Sequence, residues 1–375
     1  MSVAQASEPG AIEVLGTAQH AAWAARTLPP VERLAGGLWS IPVPIPNNPL
    51  RYTLTYLIPG ERDQLVVVDP GWDDPQTWDA LVAGLARAGA GPADITGIVA
   101  THVHPDHHGL SKKLRAASGA WIAMHPAEAE TLPHRMMALA AAAGAADRGP
   151  QNWAQHWLSV SGAPDNESAL LLGAFGDGPK SRRPPLDMAD PDVLLEDGDE
   201  VPLAGRRLLA VWTPGHTPGH ICLREPDARL MLTGDHVLPR ITPNIGMSPG
   251  VDAPVLAEFV GSLEKLAQYD DHDALPAHEY RFHGLRNRVR QLQEHHEERC
   301  REIAGVVDDL GDPTLWQLAE RLTWSRGWAE IGPMKFAAIA ETTAHVRYLV
   351  DAGRLAWTAP PKADDPTPLR LRSAA

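Results

Sequence analysis

A layered α/β fold is predicted for most of this chain, and three features of the sequence predict it. Short apolar runs closed by Gly, Pro or Asn, such as "YTLTYLI" and "QLVVVDPG", have strand length and strand composition. Amphipathic helical stretches alternate with them between residues 39 and 125. The apolar share of 44% is enough to fill cores on more than one layer.

The elements follow in order. Residues 1–30 are rich in Ala and Pro without a clear period and are expected to form a lead-in. Strands are expected at "GGLWSIPVPI", "YTLTYLI" and "QLVVVDPG". The stretch "DDPQTWDALVAGLARAG" then reads as a helix: Asp74 is the N-cap, Pro75 opens the first turn, and Gly89 lies beyond the end. Trp78, Leu81, Val82 and Leu85 form its apolar stripe. A buried strand at 95–102, a helix at "GLSKKLRAASG" and a strand at 120–125 come next. Residues 127–190 break the rhythm and read as an inserted, mostly helical cap with a Pro-rich loop. Strands resume at 206–216, 220–225 and 229–238, a helix covers 253–268, and a last strand reads "DALPAHEY". Residues 286–358 hold three helices and a closing strand, "GRLAWT", which suggests a small winged-helix appendage. The tail, 359–375, is expected to lack regular structure.

Composition excludes some classes of function. The formal charge of −14 repels polyphosphates, so no nucleic-acid partner is expected. Residues 286–358 carry ten Arg/Lys against eleven Asp/Glu, without the basic cluster of a recognition helix. That segment is expected to pack on the main domain or to build a homodimer interface. No stretch is long and apolar enough to span a membrane. The start of the chain lacks the basic and apolar regions of a signal peptide. Cys222 and Cys300 form no disulfide framework and fit a reducing, cytoplasmic setting.

The chemistry concentrates in "ATHVHPDHHGL". His102, His104, Asp106 and His107 follow an apolar run, and alternation along a strand puts His102 and His104 on one face at its end. The turn into the next helix swings Asp106 and His107 toward the same point. Such a cluster is costly without a partner, and a divalent metal removes the difficulty, because neutral imidazole and carboxylate are the donors zinc takes. Further candidates recur at later strand ends: His216 and His220 in "TPGHTPGH", Asp235 and His236 in "TGDH", and His278 in "LPAHEY".

H-x-H-x-D-H, T-P-G-H-T-P-G-H, T-G-D and P-A-H, in this order at strand ends, resemble the metallo-β-lactamase-fold hydrolases. The resemblance covers roughly residues 31–280 and includes "VVVDPG" with Asp69. It implies a four-layer αββα sandwich over 31–285 carrying a dinuclear metal site on one edge. By the same carry-over, His102, His104 and His216 hold one metal, Asp106, His107 and His278 hold the other, and Asp235 bridges both. Residues 286–358 resemble the winged-helix domain of one branch of the family. The implied activity is hydrolysis of a small ester-like substrate by a metal-bridging hydroxide, with Asp106 orienting the nucleophile and a thioester as the first expectation. The donors do not choose between zinc, the default, and iron or manganese. Phosphodiesterase or ribonuclease activity, and a mononuclear iron persulfide dioxygenase, stand as alternatives.

The other polar residues have quieter expected roles. Asp69 is expected to hold loops by hydrogen bonds rather than bind metal. His108 and His236 are expected to point elsewhere, to solvent or a supporting contact. His220 is expected to support the ligands ahead of serving as a spare one, and His125 to be a satisfied residue near the rim. Met136, Met137, Trp153, Trp157, Tyr280 and Phe282 read as core ahead of substrate contacts, and "KSRR" (180–183) as a solvated loop ahead of a phosphate contact.

Overall fold

The computed structural model describes residues 11–136, 150–174, 187–246, 253–359 and 365–374. They divide between two compact units, the first comprising Met1–Met136, Leu186–Pro243 and Phe259–Leu292. Two sheets make its centre. One has seven strands in chain order: β2 (Glu32–Arg33), β3 (Trp39–Pro44), β4 (Tyr52–Pro59), β5 (Leu65–Val68), β6 (Gly97–Val99), β7 (Trp121–Met124) and β8 (Val193–Leu194). Its first four strands pair antiparallel, and β5 to β8 pair parallel, with helices in the crossovers. The other sheet uses β1 (Glu13–Val14), β9 (Leu209–Trp212), β10 (Ile221–Glu225), β11 (Leu230–Gly234), β12 (Asp273–Pro276) and β13 (Phe282–His283). Its order is β1-β13-β12-β11-β10-β9, with β11 and β12 parallel.

Period-two alternation explains how the layers stack. Leu54, Tyr56 and Ile58 of β4, with Val66 and Val68 of β5, share one buried cluster with Leu223, Leu230, Leu232 and Leu275 of the second sheet. The residues between them face the other way: Leu57 and Val67 join Ile41 and Ile98 beneath the helices Pro75–Arg87 and Ser111–Ser118. The first of these helices is capped as its sequence predicts, with Asp74 accepting from the Gln76 amide at 2.8 Å. Its Gly84 lets the helix lie close on β3, where an added Cβ would come within 2.2 Å of Ile41 Cγ2. On the far side, the helix Val255–Leu266 buries Phe259 and Leu263 fully. It is tied to the end of β9 and the loop after it, where Lys265 Nζ donates to the Trp212 carbonyl at 3.0 Å and Ser262 Oγ to the Pro214 carbonyl at 2.9 Å. The result is the helix–sheet–sheet–helix sandwich expected from the resemblance.

Three local readings need correction. The Ala-rich stretch before residue 31 is built into the unit from Glu13 on, as β1 and the helix Thr17–Ala25. It is tied there by Trp23, in the core between the sheets, and by Gln19, which donates to Ser40 Oγ. The strand read at 95–102 stops at Val99, so a turn rather than strand alternation carries His102. After Pro360, Leu371–Ser373 form β15 and pair antiparallel with β14 (Leu355–Trp357) instead of lacking structure.

The second unit comprises Met137–Pro185, Asn244–Glu258 and Gln293–Ala375. Its described helices are Pro150–Val160, Asp165–Ala174, the later turns of Leu285–Leu310, Leu315–Arg321 and Lys335–Asp351, with β14 and β15 as a ribbon. Trp157, Leu158 and Leu171 share a buried cluster with Trp316, Ala319 and Ile339. The helical stretches at 150–174 therefore pack with helices of the C-terminal segment. Trp153 and Trp157 stack within this cluster, ring centroids 5.9 Å apart. Met137 and the "KSRR" stretch lie outside the described residues.

Candidate metal centre

The site is assembled from four loops at one edge of the two sheets. The turn after β6 carries His102 and His104, and the single helical turn Pro105–His108 follows at once with Asp106 and His107. His216 lies in the β9–β10 connection, Asp235 directly after β11, and His278 just after β12. Gly215 adopts φ +130° before His216, and an added Cβ would meet the Phe259 backbone at 2.5 Å, which accounts for the glycine in "TPGH".

Hydrogen bonds fix which ring nitrogen faces the centre. Asp69 accepts from the backbone amide and the hydroxyl of Thr101, both at 2.8 Å. With its hydrogen used there, the Thr101 hydroxyl accepts from His102 Nδ1 at 3.0 Å. Asp69 Oδ2 also accepts from His107 Nδ1 at 2.9 Å, and the Tyr52 carbonyl accepts from His278 Nδ1 at 2.8 Å. In each neutral imidazole the proton is thus held on Nδ1, and Nε2 presents a bare lone pair.

Those lone pairs converge. His102 Nε2 lies 2.9 Å, and His216 Nε2 3.1 Å, from His104 Nδ1, forming a triad of three nitrogens. Asp106 Oδ2 lies 3.8 Å from His107 Nε2 and 3.6 Å from His278 Nε2, forming a second triad. Asp235 faces both: Oδ1 is 3.2 Å from His278 Nε2, and Oδ2 is 3.5 Å from His107 Nε2 and 3.7 Å from His216 Nε2. Buried His107 Nε2, His278 Nε2 and Asp235 Oδ1 have no hydrogen-bond partner. Within each group the potential ligand atoms lie inside 4.8 Å of one another. Nitrogens crowd together in the first triad, and imidazole nitrogens face carboxylate oxygens in the second, a donor chemistry that fits two divalent ions.

Electrostatics follow the same division. Burial, with His107 and His104 beside it, holds His102 well below the usual imidazole range. Burial and His216 bring His104 down to about 3, so His102 and His104 are offered as neutral donors. Burial acts in the same direction on His107, but Asp235, Asp69 and Asp106 outweigh it and raise its pKa. Asp235 and Asp106 likewise raise His278. Although burial opposes it, the Asp235 carboxyl is held well below the carboxylate range by His278 and His107.

The remaining candidates face elsewhere. His108 pairs with Ser111 Oγ and the Ala189 carbonyl, each at 2.8 Å. His220 Nε2 accepts the Asp235 backbone amide at 3.2 Å while Nδ1 bonds Thr213 Oγ1, so it supports Asp235 from behind. His236 is buried against the Phe259 ring, 4.5 Å away. His125 accepts the Ala127 amide and stacks on Trp212 at 5.1 Å. Tyr280 and Phe282 are buried. Both cysteines are free and buried.

Sequence reasoning missed Glu128. It is fully buried, which pushes its pKa up, and its two oxygens accept the Val103 amide at 2.6 Å and the Gly219 amide at 2.7 Å. It therefore ties the loop between His102 and His104 to the loop after His216. Nothing in "PAEAE" marks one glutamate as a clamp, because its partners are backbone groups. Glu128→Ala is expected to lower metal affinity and kcat/KM by roughly tenfold, the lower end for residues that orient ligands. Competition with a fluorescent chelator and steady-state kinetics read both, and unchanged values would show that the loops hold themselves.

Comparison with known proteins agrees with this geometry. The family model for the metallo-beta-lactamase superfamily matches residues 48–278. Acyl-coenzyme A thioesterase MBLAC2 of Bos taurus is 29% identical over 184 residues, which are 48% of this chain and 54% of that protein. The Gallus gallus protein of the same name is 31% identical over 185 residues, 48% of this chain and 56% of that one. The match thus spans about half the length of these relatives. A metallo-beta-lactamase family protein from Thermus thermophilus superposes with a TM-score of 0.70 at 28% identity, covering 90% of this chain and 99% of that chain. A beta-lactamase domain protein from Burkholderia ambifaria gives 0.70 at 23% identity, over 97% of each chain, and shows the shared fold. With the motif order, the sandwich and the paired donor clusters in agreement, the chain belongs to the metallo-beta-lactamase superfamily and is a metal-dependent hydrolase.

Proposed function

We propose that this hydrolase cleaves a small thioester at a dinuclear centre in which His102, His104 and His216 hold one cation, Asp106, His107 and His278 hold the other, and Asp235 bridges them. The observation that carries the metal assignment is the fixed tautomer of His102, His107 and His278, each with Nε2 turned inward. Zinc is the first metal to test, since it takes imidazole and carboxylate together. Cations held there supply Lewis acidity, which lowers the pKa of water to about 7 and draws electron density from a carbonyl oxygen. The protein's own part is positional. Asp106 closes the second triad through Oδ2, leaving its other oxygen to accept a hydrogen bond from the attacking water and to orient it. Asp235 holds its negative charge between the two triads.

The thioester reading is supported by the activity for which the MBLAC2 relatives are named, with 28% to 31% identity over about half of this chain. Two free, buried cysteines suit a reducing cytoplasm. No described helix is long and apolar enough to cross a membrane. Three helices followed by the β14–β15 ribbon support a winged-helix reading of the C-terminal segment, with a role in packing or homodimer contact rather than nucleic-acid binding. A panel of acyl thioesters, a lactone and a phosphodiester, assayed on protein of measured metal content, tests the proposal. Two equivalents of metal and turnover of thioesters above the other classes are expected. Preferential cleavage of the phosphodiester, or oxygen uptake with a persulfide, overturns it.

A further inference from the structure

The turn joining β3 to β4 walls a cavity of about 370 Å³ that none of the metal-site motifs uses. Arg26, Asn47, Asn48 and Arg51 give its polar lining, and Leu28 and Ile45 add an apolar side. Tyr52 also lines it, and the Tyr52 carbonyl is the group that holds His278 Nδ1. The next residue, Thr53, donates to the Asp106 carbonyl at 2.9 Å. Three consecutive residues of one chain segment therefore connect the cavity to the metal centre.

The two arginines stand where the backbone favours glycine. Arg26 caps the helix Thr17–Ala25 at φ +58°, and Arg51 lies at φ +69° in the turn. Glycine reaches this region without steric cost, whereas an arginine there carries local strain. Neither guanidinium is paired with a carboxylate among the described residues, although the chain carries a net charge of −14. Arg51 is preorganised: its guanidinium lies 3.7 Å over the Trp23 ring, and Nη1 donates to the Trp23 carbonyl at 2.9 Å. Its remaining donors are left for a ligand. Leu28, 48% exposed, supplies apolar surface beside them.

We propose that this cavity recognises the oxyanion end of the substrate's thiol carrier, with Arg26 and Arg51 as the donors and the apolar wall receiving the adjoining chain. The proposal rests on the thioester reading, because cellular thioesters are carried by thiols bearing phosphates, as in coenzyme A, or carboxylates, as in glutathione. Arginine pairs with either group through two parallel hydrogen bonds.

Calorimetric titration of the metal-loaded protein with desulfo-coenzyme A, and separately with ophthalmate, tests binding without a thiol that could reach the metals. Wild type is expected to bind one of the two. The Arg26→Gln/Arg51→Gln protein, with unchanged circular dichroism and Tm, is expected to bind it roughly tenfold or more weakly. Dependence confined to desulfo-coenzyme A assigns the site to phosphate, and dependence confined to ophthalmate assigns it to carboxylate. Arg62→Gln/Arg87→Gln removes the same charge elsewhere and is expected to bind like wild type. Equal weakening by this control, equal affinity in wild type and the cavity variant, or no binding of either probe by wild type overturns the proposal. If arginine-dependent binding is found but no thioester is cleaved, the cavity assignment stands and the thioesterase reading falls.

Discussion

Asp235→Asn is expected to lower kcat/KM by ~10³-fold or more, close to 4 kcal/mol of transition-state stabilisation. Its carboxylate lies within 3.7 Å of nitrogens from both triads, at His278, His107 and His216. The amide keeps the volume but removes the negative charge and turns hydrogens toward bare lone pairs. With less negative charge between the two triads, their donors would hold a pair of cations less well, and the weaker site is expected to lose its metal first. Elemental analysis should find about one equivalent of metal fewer than wild type, with circular dichroism unchanged. Full metal content with kcat/KM within tenfold of wild type would remove Asp235 from the bridging position.

Asp69→Ala is expected to weaken both the fold and the centre. Asp69 is 2% exposed, and its carboxylate holds Thr101 twice and His107 once. Truncation strands an amide, a hydroxyl and an imidazole Nδ1 in the interior, a change of about 3–5 kcal/mol by analogy with breaking a buried ionic pair. It also frees the tautomers of His107 and, through Thr101, of His102, so metal affinity should fall about 10–100-fold. Urea unfolding of the metal-free protein reads the first effect, and competition with a chelator reads the second. Asp69→Asn keeps an acceptor for the Thr101 amide and should recover most of the stability but little of the affinity. An alanine variant as stable as wild type would mean that water takes over the lost bonds.

The donor set was legible because its residues are chemically unusual where they stand. Histidine and aspartate at the ends of apolar runs have no place in a core, which marked His102, His104, Asp106 and His107 directly. The choice of His216, Asp235 and His278 over neighbours such as His220 and His236 came from the family resemblance, and all seven lie together in the structure. Asp69 was also visible as a holding residue, since an acidic group after "VVV" needs donors. The rest of the site was hidden for physical reasons. The anchor for His278 is the Tyr52 carbonyl, a backbone group every residue has. Glu128 acts on two amides from loops far apart in sequence. The helix Thr17–Ala25 leaves little periodic signal because alanine fits either side of a helix, and its attachment includes the isolated Gln19 and Trp23. A strand of three residues at Leu371–Ser373 is shorter than any repeat that could announce it.

Four donors hang from the seven-stranded sheet and three from the six-stranded one. Neither sheet alone carries all seven donors, so parting the two layers is expected to scatter the set, and metal retention is expected to report on their closure.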